Sequence, residues 1–143
     1  MRIHHIGYLV KHMDAAISEF EKLGFSLKEN GFSENTPNKR GGGITRDSIR
    51  SINISFMENG AYCVELVEPW GLESPIYGLL KKYKNCPYHI CYYSDDLERK
   101  IKQLEHEGWM LFQPPETAPA IGGKKVAFLI HPAIGMIELV EEE

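Results

Sequence analysis

At 143 residues the chain is long enough for one domain, or for two small modules that share a core. Its 43% hydrophobic and 25% charged residues are typical of a soluble globular protein. A net charge of −4 without a lysine or arginine run argues against a nucleic-acid partner, and no apolar stretch reaches the ~18 residues of a membrane span. With no signal-peptide pattern, Cys63, Cys86 and Cys91 are predicted to be reduced thiols of a cytoplasmic protein.

Hydrophobic periodicity predicts a βαβββ order in the first half of the chain. The predicted elements are a strand at 2–10, a helix at 13–23, a short strand at 25–28, and a hairpin of strands 49–57 and 62–67. Asn59-Gly60 is the expected turn of that hairpin. The polar segment 30–45, which contains Gly41-Gly42-Gly43, is predicted to be a loop.

The second half repeats this order after a connector at 69–86 with a short helix at 76–83. Its predicted elements are a strand at 88–93, a helix ending at Gly108, a short strand at 109–112, a loop at 113–123, and a hairpin of strands 125–130 and 136–140. Asp95 with Glu98 predicts a capping box at the start of the helix.

The two halves also align residue by residue. His5 matches His89 at a separation of 84 residues, and Glu65 matches Glu138 at a separation of 73, so the first half holds 11 additional residues. Such self-similarity indicates a repeated supersecondary unit. We therefore predict a single α+β domain over 1–143 that consists of two βαβββ modules, at about 1–68 and 87–143, with a linker at 69–86. The modules are expected to form a paired, curved, eight-stranded mixed sheet around a cleft.

Four polar side chains at repeat-equivalent positions predict a metal site. Strand alternation places His5 and His89 on the faces opposite to the helices, and Glu65 and Glu138 lie within otherwise apolar strands. A single histidine of this kind is usually structural, but two imidazoles and two buried carboxylates together form a ligand set for one divalent ion. Mixed nitrogen and oxygen ligands suit Ni, Co, Zn, Mn or Fe.

The sequence resembles the vicinal oxygen chelate (VOC) superfamily, which includes glyoxalase I, methylmalonyl-CoA epimerase, extradiol dioxygenases and antibiotic-binding proteins. The resemblance is carried by His4-His5-Ile6-Gly7, Val64-Glu65-Leu66-Val67-Glu68-Pro69, Ser74-Pro75-Ile76, Tyr88-His89-Ile90, Lys125-Val126-Ala127-Phe128-Leu129 and Ile137-Glu138-Leu139-Val140-Glu141. It implies paired βαβββ modules and a metal held by His5, Glu65, His89 and Glu138. It also implies that Glu138 is the catalytic base, with Glu65 as its symmetry mate.

The function that this resemblance implies is proton transfer next to a carbonyl group through an enediolate or enolate. A glyoxalase I (lactoylglutathione lyase)-like enzyme is the first expectation, and methylmalonyl-CoA epimerase is the alternative. The expected substrate is a hemithioacetal or an acyl-CoA, and the expected assembly is a homodimer. A family member that sequesters an antibiotic or another small molecule is the alternative from another class, although such relatives typically lack the metal ligands.

The chain departs from the epimerase pattern at one position that matters for the mechanism. Epimerases carry a second glutamate base near the start of the strand that precedes the first metal-binding glutamate. The corresponding stretch here is Arg46-Asp47-Ser48-Ile49-Arg50, in which Asp47 has the shorter side chain. An Asp47 that acts as a base would favour epimerisation.

Overall fold

The computed structural model describes residues 1–28 and 43–142, and within these ranges the chain forms nine strands and three α-helices. The strands are β1 (Ile3–Leu9), β2 (Ser26–Leu27), β3 (Thr45–Asp47), β4 (Ile52–Asn59), β5 (Tyr62–Pro69), β6 (Cys86–Ser94), β7 (Met110–Ala118), β8 (Lys124–His131) and β9 (Gly135–Glu141). The helices are α1 (Met13–Lys22), α2 (Tyr77–Tyr83) and α3 (Leu97–His106). This element order confirms the predicted α+β class.

The chain divides into two compact units, and the boundary falls inside β1. Unit 1 comprises residues 1–6 and 88–143, and unit 2 comprises residues 7–87. Each unit thus contains most of one predicted module, but the first six residues group with the second module. The single domain over 1–143 stays a prediction.

In unit 2, the strand β4 holds the sheet together. It pairs antiparallel with β2, β3 and β5, and Phe56 of β4 lies opposite Glu65 of β5. The helix α1 packs its apolar stripe on this sheet because Met13 and Ile17 recur at helical spacing. The buried core residues of this unit are Val10, Met13, Ile17, Ile44, Met57, Val64 and Leu66.

The hairpin of unit 2 differs from its prediction at one end. The strand β4 begins at Ile52 instead of residue 49, and the unpredicted β3 pairs with it. The cause is Asp47, whose Oδ1 accepts hydrogen bonds from the backbone N–H groups of Ile49 and Arg50, both at 3.0 Å. This side-chain-capped turn competes with a continuous strand, as aspartate commonly does.

Glu68 at the end of β5 fixes the start of α1. Its Oε2 accepts a hydrogen bond from the backbone N–H of Met13 at 2.6 Å, and its Oε1 accepts one from the Asn53 side chain at 2.8 Å. Asn53 in turn accepts a hydrogen bond from Nε of Arg46 at 3.2 Å. The carboxylate therefore replaces a local N-cap, because the side chain of His12 makes no capping hydrogen bond.

In unit 1, the strands follow the order β1, β6, β9, β8, β7. The strands β6 and β9 are parallel, whereas β9 with β8 and β8 with β7 are antiparallel. The helix α3 covers one face with its predicted stripe of Leu97, Ile101 and Leu104. Its N-cap is Asp96, which accepts a hydrogen bond from the Arg99 N–H at 3.0 Å, so the predicted start at Asp95 is one residue early.

The strand β7 is longer than predicted, because it continues to Ala118 through a segment that was predicted to be a loop. Pro114 and Pro115 lie in this segment, and its pairing with β8 shifts register between Gln113 and Glu116. The strand β7 is an edge strand of the sheet. An edge strand tolerates a bulge, and it tolerates proline, which has no backbone N–H to donate.

The predicted loop at 30–45 falls largely on residues 29–42, which lie outside the described residues. No helix in the described ranges has the length and apolar character that crossing a membrane requires. Within the described ranges, Cys63, Cys86 and Cys91 form no disulfide.

The capping role of Glu68 generates a stability prediction. Glu68→Ala should lower the free energy of unfolding by about 1–3 kcal/mol, because it removes a charged cap of α1 and a partner of the buried Asn53. Urea denaturation followed by circular dichroism measures the change. Glu58→Ala is the matched control, because Glu58 pairs with Lys28 at an exposed position, where an ion pair contributes little to stability. Equal losses in both variants would contradict the capping role.

Candidate metal centre

Three neighbouring strands of unit 1 bring together three of the predicted ligands. His5 lies on β1, His89 on β6 and Glu138 on β9, which are adjacent in the sheet order. The parallel register places Cys91 opposite Glu138, and His89 shares the face of Cys91 because it precedes it by two residues. The side chains therefore meet on one face of the sheet.

The ligand atoms of these three residues form a nearly equilateral triangle. Nε2 of His5 lies 3.1 Å from Nε2 of His89 and 3.1 Å from Oε2 of Glu138. The remaining side, from Nε2 of His89 to Oε2 of Glu138, is 3.0 Å. All three residues are buried, with exposed fractions of 0%, 4% and 3% for His5, His89 and Glu138. A protein seldom buries a carboxylate in this way without a compensating positive charge.

The imidazoles determine the ionisation of Glu138. Burial alone would raise the pKa of this carboxyl, but the nearby rings of His5 and His89 hold the pKa below its ordinary value. Oε2 nevertheless accepts no hydrogen bond of normal geometry from the described residues, although both ring nitrogens lie close to it. The carboxylate is thus ionised and buried, and its Oε2 has no hydrogen-bond partner among the described residues.

This donor set fits a divalent metal ion. Ligands bound at about 2.0–2.1 Å to one ion lie about 3 Å apart when they are at right angles. The three ligand atoms have this spacing, and a cation would satisfy the buried Oε2. Two imidazoles and a carboxylate are suitable ligands for Ni, Co, Zn, Mn or Fe, as the sequence also suggests.

Two aromatic residues and a further histidine contact the histidines of the triangle. The rings of Tyr88 and Phe128 both meet the His89 ring edge to face, with centroids 4.4 and 5.4 Å away. Nδ1 of His4 lies 2.7 Å from Nδ1 of His5, on the side of the ring away from Glu138. Sequence alternation did not predict this contact, because it assigns consecutive strand residues to opposite faces.

The other two predicted site residues belong to unit 2. Glu65 lies on β5 opposite Phe56 and is 5% exposed, and its role as a fourth ligand stays a prediction. Asp47 is 1% exposed, and besides capping the turn its Oδ2 accepts a hydrogen bond from Arg50 at 2.6 Å. Asp47, which the sequence offers as a second base, is therefore already engaged in an ion pair with Arg50.

Comparison with known proteins identifies the family. The model of the glyoxalase/bleomycin resistance protein/dioxygenase superfamily matches residues 4–128. The chain belongs to this superfamily. The resemblance found in the sequence is thereby confirmed, and the matched range includes His5, Glu65 and His89.

Members of the superfamily with similar sequences and structures include epimerases. The mitochondrial methylmalonyl-CoA epimerase of Dictyostelium discoideum is 40% identical over 83 residues, which cover 56% of this chain and 48% of that protein. The chain thus matches about half the length of its curated relatives. The hypothetical protein BH1468 of Bacillus halodurans C-125 has a TM-score of 0.78 at 25% identity and covers 99% of this chain and 94% of its own.

A liganded epimerase has a similar fold. A variant of the Streptomyces coelicolor methylmalonyl-CoA epimerase, solved in complex with 2-nitronate-propionyl-CoA, has a TM-score of 0.77. The similarity covers 99% of this chain and 94% of that one, at 20% identity. At 20% identity the similarity supports the fold of the superfamily, and the reaction of this chain must be inferred from its own residues.

The triangle of ligand atoms predicts tight binding of one divalent ion per chain. His89→Ala should weaken metal binding by more than ~10–100-fold, which is the typical loss when a residue that hydrogen-bonds to a metal ligand is replaced. Metal analysis after dialysis, together with the rise in melting temperature on adding Zn²⁺, measures binding. The control is His106→Ala, on the exposed end of α3. Equal metal content in His89→Ala and the unmodified protein would place the ion elsewhere.

Proposed function

We propose that this protein is a metal-dependent lyase or isomerase that transfers a proton at the carbon next to a carbonyl group. The observation that carries the proposal is the buried triangle of His5, His89 and Glu138 in unit 1. These residues would hold the ion, and the resemblance adds Glu65 as the fourth ligand. A bound divalent ion supplies positive charge that stabilises the negative oxygen of an enolate or enediolate.

Glu138 is the proposed base. Its carboxylate is ionised at neutral pH and is in the form that accepts a proton. The lowered pKa also makes it a weaker base, so a bound ion would have to supply much of the stabilisation of the enolate. Its position on β9, between β6 and β8, fixes it on a rigid element of the sheet, which suits a group that must meet one substrate atom. Glu138 is only 3% exposed, so its carboxylate is largely shielded from water. The resemblance assigns Glu65 as the symmetry mate of this base.

The relatives favour an acyl-CoA ester as the substrate class. The curated relative with 40% identity is named as a methylmalonyl-CoA epimerase, and a structural neighbour binds an acyl-CoA analogue. Methylmalonyl-CoA epimerisation is therefore the first candidate reaction on this class of substrate. The test is proton exchange in D₂O with acyl-CoA esters and with hemithioacetals, using protein loaded with each metal in turn.

One observation favours the second candidate, a glyoxalase I-like reaction on a hemithioacetal. Epimerisation of the two-base kind needs a base on each side of the carbon. In this chain, Asp47 is the carboxylate nearest in sequence to the position of the second base. It accepts three hydrogen bonds within its own turn. A site with one base fits a lyase in which that base removes the proton and returns it on the same side of the substrate.

Replacement of the base separates proton transfer from metal binding. Glu138→Gln should retain measurable metal, because an amide oxygen can still coordinate, but it should lose about 10²–10⁴-fold in exchange rate, because an amide cannot take the proton. Metal analysis and deuterium incorporation measured on the same samples give both values. Glu105→Gln on the exposed face of α3 serves as the control. Full exchange in Glu138→Gln would mean that the base is elsewhere.

Asp47→Asn distinguishes the two candidate reactions. The amide oxygen can still accept hydrogen bonds from the turn, so we expect folded protein whose exchange rate changes less than about tenfold. Loss of a true base would instead cost about 10²–10⁴-fold. The exchange assay in D₂O decides between these outcomes. A loss of the larger size, in a variant that still binds metal, would establish Asp47 as a base and favour epimerisation.

A further inference from the structure

We propose that His4 is a positioning residue that holds His5 in the tautomer able to bind a metal. The proposal rests on the metal site of the proposed function. The two rings meet through their Nδ1 atoms at 2.7 Å, and Nε2 of His5 lies on the far side, 3.1 Å from Oε2 of Glu138. His5 thus lies between His4 and the triangle of ligand atoms.

The positions of the protons give His4 its role. A neutral imidazole carries one proton, and a ring that binds a metal through Nε2 must carry that proton on Nδ1. The Nδ1–H of His5, which is fully buried, then donates to Nδ1 of His4, and His4 carries its own proton on Nε2. If His4 instead donated its Nδ1–H to Nδ1 of His5, His5 would carry its own proton on Nε2. That proton would point at the site of the ion.

Neighbouring side chains hold the His4 ring in place. It contacts Tyr93 of β6 with centroids 5.0 Å apart and meets the His5 ring edge to face at 4.9 Å. The guanidinium of Arg2 lies 4.6 Å from the centroid of the Tyr93 ring and is paired with Glu142. Such a chain of contacts fixes the acceptor before any ion binds, as residues that support metal ligands commonly do.

Another interpretation of the same cluster is a second metal site. One ring nitrogen of His4, one ring nitrogen of His5 and Sγ of Cys91 all lie within 4.8 Å of one another. The two Nδ1 atoms are only 2.7 Å apart, however, which is a hydrogen-bond distance and shorter than the distance of about 3 Å between two ligands at right angles on one ion. The geometry therefore favours a hydrogen bond between the two rings.

Two variants at His4 test the proposal. His4→Phe keeps a ring beside Tyr93 but has no acceptor, whereas His4→Asn places an amide oxygen where Nδ1 was. His106→Phe, on the exposed end of α3, is the control for replacing a histidine by phenylalanine. NMR of protein with ¹⁵N-labelled histidine, recorded without metal at one pH near neutrality, reports the tautomer of His5. Competition with a chelator measures the affinity for Zn²⁺.

We expect His5 to carry its proton on Nδ1 in the unmodified protein and in His4→Asn, and to lose this preference in His4→Phe. Zn²⁺ should bind about 10–100-fold more weakly to His4→Phe, and the asparagine should restore most of the affinity. If His4 contributed packing alone, His4→Phe and His4→Asn would lose Zn²⁺ affinity to the same extent. Equal losses in the two variants would overturn the proposal.

Other results would also overturn it. A proton on Nε2 of His5 in the unmodified protein would do so, and so would undiminished Zn²⁺ affinity in His4→Phe. Two ions per unmodified chain and one in His4→Phe would make His4 a ligand. If the unmodified protein bound no divalent ion, the proposed function would fail. The His5 tautomers in the unmodified protein and in His4→Phe would still decide the role of His4.

Discussion

Burial of the Glu138 carboxylate beside two imidazoles is the constraint on which the rest of unit 1 depends. Removing an ionised carboxylate from water costs several kcal/mol unless positive charge or hydrogen bonds compensate for it. A divalent ion held between Glu138, His5 and His89 would supply that positive charge. Because these three side chains lie on three strands, β1, β6 and β9 must be neighbours for the side chains to meet. A slip of one residue would turn Glu138 to the opposite face.

The hydrophobic cores provide the rigidity that this arrangement needs. In unit 1, α3 packs against one face of the sheet through Leu97, Ile101 and Leu104, so that face is apolar and the ligands occupy the other. In unit 2, Glu68 fixes the start of α1 and holds Asn53 at the same time. Both units thus use long-range contacts to set the position of a helix on its sheet, and side chains on strands can then be held in precise places.

The sequence predicts the cluster of His5, His89 and Glu138 better than the surroundings of that cluster. His5, His89 and Glu138 were identifiable because the repeat puts polar residues at equivalent places in strands that are otherwise apolar. The contact between His4 and His5 was missed because it depends on side-chain torsions, which the alternation of strand faces does not contain. The passage of β7 through two prolines was missed because the position of a strand at a sheet edge is a property of the whole fold.

Anomalous X-ray scattering from crystals of metal-loaded protein tests the central claim most directly. One strong peak per chain should lie about 2.0–2.1 Å from Nε2 of His5, Nε2 of His89 and a carboxylate oxygen of Glu138. The same map would show whether Glu65 is the fourth ligand. A peak at any other place, or no peak in protein that contains one bound ion per chain, would contradict the claim that these three residues form the metal centre.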